Sequence, residues 1–324
     1  MSSDPTIFVS IASYRDPDLN NTILSLLQNA RHPSRIFVGI CLQNDPARDE
    51  EVIEHSNIRC IKIPYTQAKG PCYARYLCST LYQGETYYMQ IDSHCQFVPE
   101  WDLKCIEMMT ELKKRSTKPV ISYYPPDFGT TGIPVIEKAK FDERGILSLE
   151  AASLYDSIKD YIKSTFVAAG FIFAEGSFLK DIPYDSGLDY LFTGEEILLT
   201  LRFFTHGYDV YTPLQNILFH KYGREDKPKV WTDLASEWKD EKAVQFVKDT
   251  VNGKHPEYLG TKRHISDFFK SVDCPIPNDI LENFVITKRP ASNQCWSCDN
   301  TKVWWVVAGV VAVLSILLLV YQSK

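Results

Sequence analysis

The chain has 324 residues, 44% of them hydrophobic, enough to fill the core of one large α/β domain or two small ones. A net charge of −6, with no basic run and no interleaving of basic and aromatic residues, argues against a nucleic-acid partner, whose phosphates require a positive face. The amino terminus, Met1-Ser-Ser-Asp-Pro-Thr6, carries neither a basic stretch nor an apolar signal core, so no secretory or transit peptide is expected.

Ile7 to Ala12 is an apolar run followed by Ser13-Tyr-Arg-Asp-Pro17, after which Leu19, Ile23, Leu26 and Leu27 recur at helical spacing: strand, loop, helix. Arg35 to Leu42 and Ile58 to Ile63 read as the second and third strands, and Gly70-Pro-Cys-Tyr-Ala-Arg75 opens another helix. This alternation predicts an α/β fold with a mostly parallel, doubly wound sheet. The next strand, from Tyr87, ends in Asp92-Ser-His94. Side chains two apart in an extended chain share a face, so Asp92 and His94 are candidates to hold one ion, and a mixed oxygen and nitrogen pair suits manganese better than calcium. The bland alternative is a polar strand end. Ligands of open α/β sheets gather beyond the carboxyl ends of the strands, so Ser13 to Asp16 and Asp92 to His94 are expected to face one crevice.

Further on, Val120 to Tyr124 reads as a strand, Pro125 to Gly132 as a loop, and Thr165 to Ala174 as a fully apolar strand. Phe192 to Arg202 places Glu195 and Glu196 at the start of an apolar-periodic helix, Tyr208 to Pro213 returns as a strand, and His220 follows a short apolar run. From about Trp231 the mixed pattern suggests a helical cap.

The uncharged run Val303 to Tyr321 is long enough as a helix to cross a hydrocarbon core, with Trp304, Trp305 and Tyr321 at its ends and Lys302 and Lys324 bracketing it. It is expected to be a tail anchor at 303–321, joined by a linker at 286–302 to a catalytic domain at 1–285 that faces the cytosol. Nine scattered cysteines fit reduced thiols better than a disulfide framework. Cys295-Trp-Ser-Cys298 has metal-ligand spacing but no second pair to complete a zinc site.

The motifs Ser10-Ile-Ala-Ser-Tyr-Arg-Asp-Pro-Asp-Leu19, Gly70-Pro-Cys-Tyr-Ala-Arg75, Gln90-Ile-Asp-Ser-His94 with Trp101-Asp102, Phe192-Thr-Gly-Glu-Glu196 and His220-Lys-Tyr-Gly-Arg224 together resemble the GlcNAc-transferase family that modifies hydroxyproline on Skp1-type proteins and threonine on some protist mucins. That family is similar in layout to the polypeptide GalNAc-transferases, which use an Asp-x-His pair and a distant histidine. The resemblance implies a GT-A fold, a UDP-sugar donor, a divalent metal such as Mn2+, retention of anomeric configuration, and transfer to a hydroxyl of hydroxyproline, Thr or Ser on a protein or glycoprotein acceptor.

It also implies metal ligation by Asp92, His94 and His220, with Asp92 beside the donor as well. Arg75 then acts as a fixed cation near the leaving group, and Ser13, Tyr14, Arg15 and Asp16 form a uridine and ribose shelf. Glu195 touches the donor sugar, Glu196 caps its helix, and Tyr222 and Arg224 close over the phosphates. The expected carboxyl-terminal anchor departs from the plan of the known family members, so the acceptor does not carry over. A sugar-nucleotide or glycan-binding scaffold without turnover, or a metal-dependent phosphoesterase acting on sugar nucleotides, are the alternatives.

Overall fold

The protein is described by a computed structural model over residues 4–272. The expected linker at 286–302 and anchor at 303–321, together with Cys274, Cys295 and Cys298, lie outside the described residues. No helix among the described residues is long and apolar enough to cross a membrane.

The first part of the chain alternates strand and helix as its apolar runs require: β1 (Ile7–Tyr14), α1 (Leu19–Asn29), β2 (Ile36–Asn44), β3 (Ile58–Pro64), α2 (Pro71–Ser79) and β4 (Tyr87–Asp92). The four strands are parallel, with β1 hydrogen-bonded to β2 on one side and β4 on the other. Strands buried on both faces carry nearly continuous apolar sequence, as β1 and β4 do. The chain winds outward through β2 and β3 and then returns across β1 to lay down β4. That reversal makes the β1/β4 boundary the switch point where a crevice opens. In the register Ala12 stands opposite Asp92, so the Ser13 and Asp92 segments leave the sheet side by side.

Then follow β5 (Cys95–Phe97), α3 (Trp101–Leu112), β6 (Pro119–Ser122), β7 (Ile133–Phe141), β8 (Leu147–Tyr155), β9 (Lys163–Ser164), β10 (Phe171–Glu175), α4 (Phe178–Asp181), α5 (Glu195–Thr205), β11 (Asp209–Tyr211), β12 (Leu218–His220), α6 (Val230–Asp233), α7 (Glu241–Val251) and α8 (Ile265–Ser271). The eight-stranded sheet runs β3-β2-β1-β4-β10-β6-β11-β9, with β10 antiparallel to both of its neighbours. Two small ribbons, β12 with β5 and β7 with β8, complete the strands.

The expected strand Thr165 to Ala174 is corrected: only Phe171–Glu175 is a strand. Before it the backbone amides find side-chain acceptors in place of a ladder. Val167 N donates to Thr200 Oγ1, Ala168 N to Ser122 Oγ and Ala169 N to Glu196 Oε1. A buried loop satisfied in this way has the same apolar composition as a buried strand.

The cap expected after Trp231 is present as α6 to α8. Val244, Val247 and Val251 of α7 and Phe268 and Phe269 of α8 join Ile197, Leu198 and Leu201 of α5 in one apolar cluster. On one face of the large sheet, Ile7, Val9 and Ile11 meet α1 and α3. On the other, Phe8 and Tyr88 meet Phe178 and Phe203. Asp102, part of a motif quoted above, is structural: its carboxylate accepts from the backbone N–H groups of Arg31 and His32 at 2.7 and 2.9 Å.

Gly39 has no room for a side chain, since a Cβ there would lie 2.1 Å from Phe8 Cζ. The Phe8 ring is itself wedged between Tyr82 and Tyr88 and has nowhere to move. Gly39→Ala is therefore expected to cost about 1–3 kcal/mol through overpacking. The test is the urea midpoint, and an unchanged midpoint contradicts the account.

Candidate active site

The carboxyl ends of β1 and β4 bring the Asp16 and Asp92 segments together, and the β5/β12 ribbon adds the third partner. His220, the last residue of β12, pairs across the ribbon with Cys95, and Lys221 N donates to His94 O at 3.1 Å. Asp92, His94 and His220 thereby offer ligand atoms that all lie within 4.8 Å of one another. His220 Nε2 is 3.2 Å from Asp92 Oδ2, and the His220 Nδ1 is buried with no hydrogen-bond partner.

Helix α1 braces this turn. Thr22 Oγ1 donates to Ser93 O at 2.9 Å and accepts from Cys95 N at 2.8 Å, while Ser25 Oγ accepts from Phe97 N. One carboxylate oxygen and one imidazole nitrogen on this braced turn, with a second imidazole from the end of β12, form a donor set that fits a divalent transition ion such as manganese.

Beside this group lies a buried ion-pair chain. Arg75, projecting from α2, donates from one guanidinium nitrogen to Asp92 Oδ1 at 3.0 Å and from the other to Glu195 Oε2. Burial alone would raise the Asp92 carboxyl, but the His220 hydrogen bond and the charge of Arg75 outweigh it and hold the group well below the usual carboxylate range. For Glu195 burial wins. Its carboxyl is pushed up although Arg75 pulls the other way.

Gly194 has φ of 117°, and a Cβ there would stand 3.0 Å from Val247 Cγ2. Only glycine lets α5 begin at that point with Glu195 turned inward. Glu196 faces elsewhere, as its neighbouring position on a helix demands. It accepts from Tyr124 Oη at 2.5 Å and from Ala169 N at 2.9 Å. Glu196 stands in the first turn of α5, as expected of an acid favoured by the helix dipole, and it also serves the buried loop before β10, whose amide would otherwise lack an acceptor.

These groups line a cavity of about 540 Å³, within the range of small-molecule sites. Of the residues singled out in the sequence, Tyr14, Asp16, Arg75, Asp92, His94, Glu195, Glu196, His220, Tyr222 and Arg224 line it. Ser13 and Arg15, expected on the nucleotide shelf, do not. Ser13 is fully buried beneath the sheet end, where its carbonyl accepts from Gln43 Nε2. Arg15 sits at φ 45° and turns outward to Asp49 and Asp233, its guanidinium over the Tyr65 ring. Ser13 and Tyr14 alternate as strand neighbours do, but β1 ends at Tyr14. The left-handed backbone of Arg15 sends its side chain to Asp49 and to the same Asp233 oxygen that Tyr14 reaches, so the four consecutive residues do not form one shelf.

Tyr14 donates to Asp233 Oδ2 at 3.0 Å, which ties the end of β1 to α6 of the cap. Tyr222 packs its ring on His220 and donates to Pro125 O, and Arg224 pairs with Asp16 at 2.8 Å.

Gln43, Tyr124, Lys221, Phe192 and Trp231 also line the cavity and were not singled out for it. Gln43 closes β2 beside the end of β1, so the rule that ligands gather beyond strand ends already pointed to it. The rings of Phe192 and Trp231 meet with centroids 4.8 Å apart and planes tilted by 59°, from segments far apart in the chain, a pairing without a local signal.

The model of the family "Glycosyltransferase (GlcNAc)" matches residues 6–50 and 44–249. No curated protein matches the chain in sequence. Among solved structures the chain is similar to GalNAc-T7 with UDP, GalNAc and Mn2+, at 16% identity and TM-score 0.52, covering 87% of this chain and 57% of that one. It is also similar to S. aureus TarS 1–349, at 10% identity, TM-score 0.50, and 82% and 69% coverage. The same protein in complex with UDP-GlcNAc matches at 10% identity, TM-score 0.51, and 82% and 70% coverage. At such identities the likeness is one of fold, and it supports the GT-A arrangement of a mostly parallel central sheet. The chain spans little more than half of the GalNAc-T7 chain it matches. With the family match covering most of the described residues, the chain belongs to the GlcNAc glycosyltransferase family.

Proposed function

We propose that this glycosyltransferase is metal-dependent and retaining, and that it moves GlcNAc or a related sugar from a UDP-sugar to a protein hydroxyl of hydroxyproline, Thr or Ser. The observation that carries the reading is the meeting of Asp92, His94 and His220 at the wall of a cavity that also holds the buried Arg75–Glu195 pair. Asp92, His94 and His220 hold a divalent ion, Mn2+ by the chemistry of the donor set. When bound, such an ion acts as a Lewis acid toward the diphosphate leaving group.

The protein's own groups do the rest. Arg75 fixes the Asp92 carboxylate from behind and adds a permanent positive charge where negative charge grows on the donor. Tyr14 and the end of β1 provide the nucleotide shelf, while Tyr222 and Arg224, on the segment after β12, stand over the phosphates. Glu195 faces the sugar. Because one of its oxygens is engaged by Arg75, we favour return of the acceptor on the leaving-group face over a covalent intermediate on Glu195. The acceptor enters past Phe192 and Trp231, with a membrane tether at 303–321 keeping the catalytic domain on the cytosolic side.

The test is release of UDP from a panel of UDP-sugars by the full chain in detergent with Mn2+. One donor is expected to turn over, activity is expected to vanish in EDTA and return on adding Mn2+, and release is expected to rise with a hydroxyl-bearing peptide acceptor. Undiminished release in EDTA contradicts the metal role. Release indifferent to any acceptor favours hydrolysis of the sugar nucleotide instead.

A further inference from the structure

Asp16 is expected from the sequence on the nucleotide shelf, yet its carboxylate is spent on other contacts. Its side chain is 2% exposed, although it borders the cavity. Oδ2 lies 2.8 Å from His94 Nδ1 and also accepts from Ser93 Oγ. Oδ1 accepts from Asp18 N at 3.0 Å, closing the turn that starts α1, and from an Arg224 guanidinium nitrogen at 2.8 Å. Every contact of Oδ2 is thus with the Asp92–His94 turn, and Oδ1 reaches the segment that follows His220.

A carboxylate only accepts, so the ring nitrogen facing it must carry the proton, and in a neutral imidazole the other nitrogen then keeps its lone pair. The far side of the ring agrees. Arg224 Nη1, which can only donate, lies 3.4 Å from His94 Nε2. An acceptor at Nδ1 and a donor at Nε2 select the same tautomer from opposite sides.

We propose that Asp16 is a positioning residue of the metal centre: it holds His94 in the Nδ1–H tautomer, so that Nε2 is presented as the ligand atom toward Asp92 and His220. This rests on the metal reading above and changes the part played by the Ser13–Asp16 segment. Its acid braces the ion's histidine from behind, in the way outer carboxylates commonly orient metal-bound imidazoles.

Asp16→Asn separates this role from a merely structural one. The amide oxygen can keep the bonds from Asp18 N and Arg224, both donors, which leaves the NH₂ facing His94 Nδ1. That group donates, so the variant is expected to drive His94 to the opposite tautomer, with the proton on Nε2 where the ion must bind. Asp49→Asn is the charge control. It removes an acid of the neighbouring β2–β3 connection, one that pairs with Arg15 and touches neither histidine.

Two measurements decide, both without donor or turnover. In metal-free full chain labelled with ¹⁵N-histidine, with the His94 signals assigned by their loss in His94→Gln, the wild type is expected to show Nδ1–H and Asp16→Asn to show Nε2–H. In calorimetric titration with Mn2+ alone, Asp16→Asn is expected to bind about 10–100-fold more weakly, while Asp49→Asn stays within about twofold of wild type. Thermal unfolding of all three proteins is expected to coincide within a few degrees. A wild-type His94 carrying its proton on Nε2 overturns the proposal even if every variant fails to fold. Equal Mn2+ affinity in a folded Asp16→Asn overturns it and leaves the metal reading intact. A wild type that binds no Mn2+ overturns both.

Discussion

Alanine in place of His220 is expected to lower kcat/KM for sugar transfer by about three to four powers of ten, the equivalent of roughly 4–5 kcal/mol of transition-state stabilisation lost with the ion. Asp92→Ala is expected to do at least as much, because it removes a ligand and also frees Arg75 from one of its two carboxylates. The two variants should differ in stability. His220 sits at the end of a three-residue strand and would give up one hydrogen bond, from Nε2 to Asp92, and its ring contact with Tyr222. His220→Ala should therefore unfold somewhat before the wild type, and Asp92→Ala earlier still, because it strands Arg75 as well. Steady-state kinetics at saturating Mn2+ and a urea titration read the two effects separately. A loss of less than tenfold in His220→Ala excludes it from the site's chemistry.

Arg75→Met is expected to be the most destabilising single change in the site. Arg75, Asp92 and Glu195 form one buried ion-pair chain in which a single guanidinium serves two carboxylates. Removing the cation strands Glu195 out of water beside Asp92, whose side chain is 29% exposed at the cavity wall, and breaking a buried pair in this way typically costs about 3–5 kcal/mol. For a domain of this size that corresponds to a melting temperature lower by roughly 10 °C. Adding Glu195→Gln to Arg75→Met should recover part of the loss, because one of the two stranded charges is gone. Asp92 remains, so recovery should stop short of wild type. A double variant no more stable than Arg75→Met shows that the loss comes from packing of the arginine stem rather than from the uncompensated acids. Activity should stay low in both, since each lacks the fixed cation beside Asp92.

The alternation of strand and helix through the first four strands, the shared crevice of the Ser13–Asp16 and Asp92–His94 segments, and the presence of Asp92 and His94 at a strand end were legible before any coordinates, whereas the order of the strands in the sheet was not. Apolar runs buried on both faces and amphipathic segments between them are local patterns, and the right-handed crossover fixes only the hand of each connection. The β7–β8 hairpin had a readable signal too. Asp142-Glu-Arg-Gly145 lies between its strands, and Gly145 has a φ of 76° that favours glycine. Residues 165–170 were not legible in this way, because a buried loop whose amides are met by Ser122, Glu196 and Thr200 reads the same as a buried strand.

The sequence by itself determined which residues could carry the chemistry. It did not determine which of them face one another. Asp16 lies 78 residues from His94 and Arg75 lies 120 from Glu195, and no periodicity links such pairs. Their partners were decided when the β5/β12 ribbon set His220 against the Asp92–His94 turn and when α5 brought Glu195 under α2. A polar side chain at the end of an element is oriented by whichever donor or acceptor the rest of the fold delivers there. For that reason Asp16 faces His94 and Arg224, while its neighbour Arg15 turns away to Asp49 and Asp233.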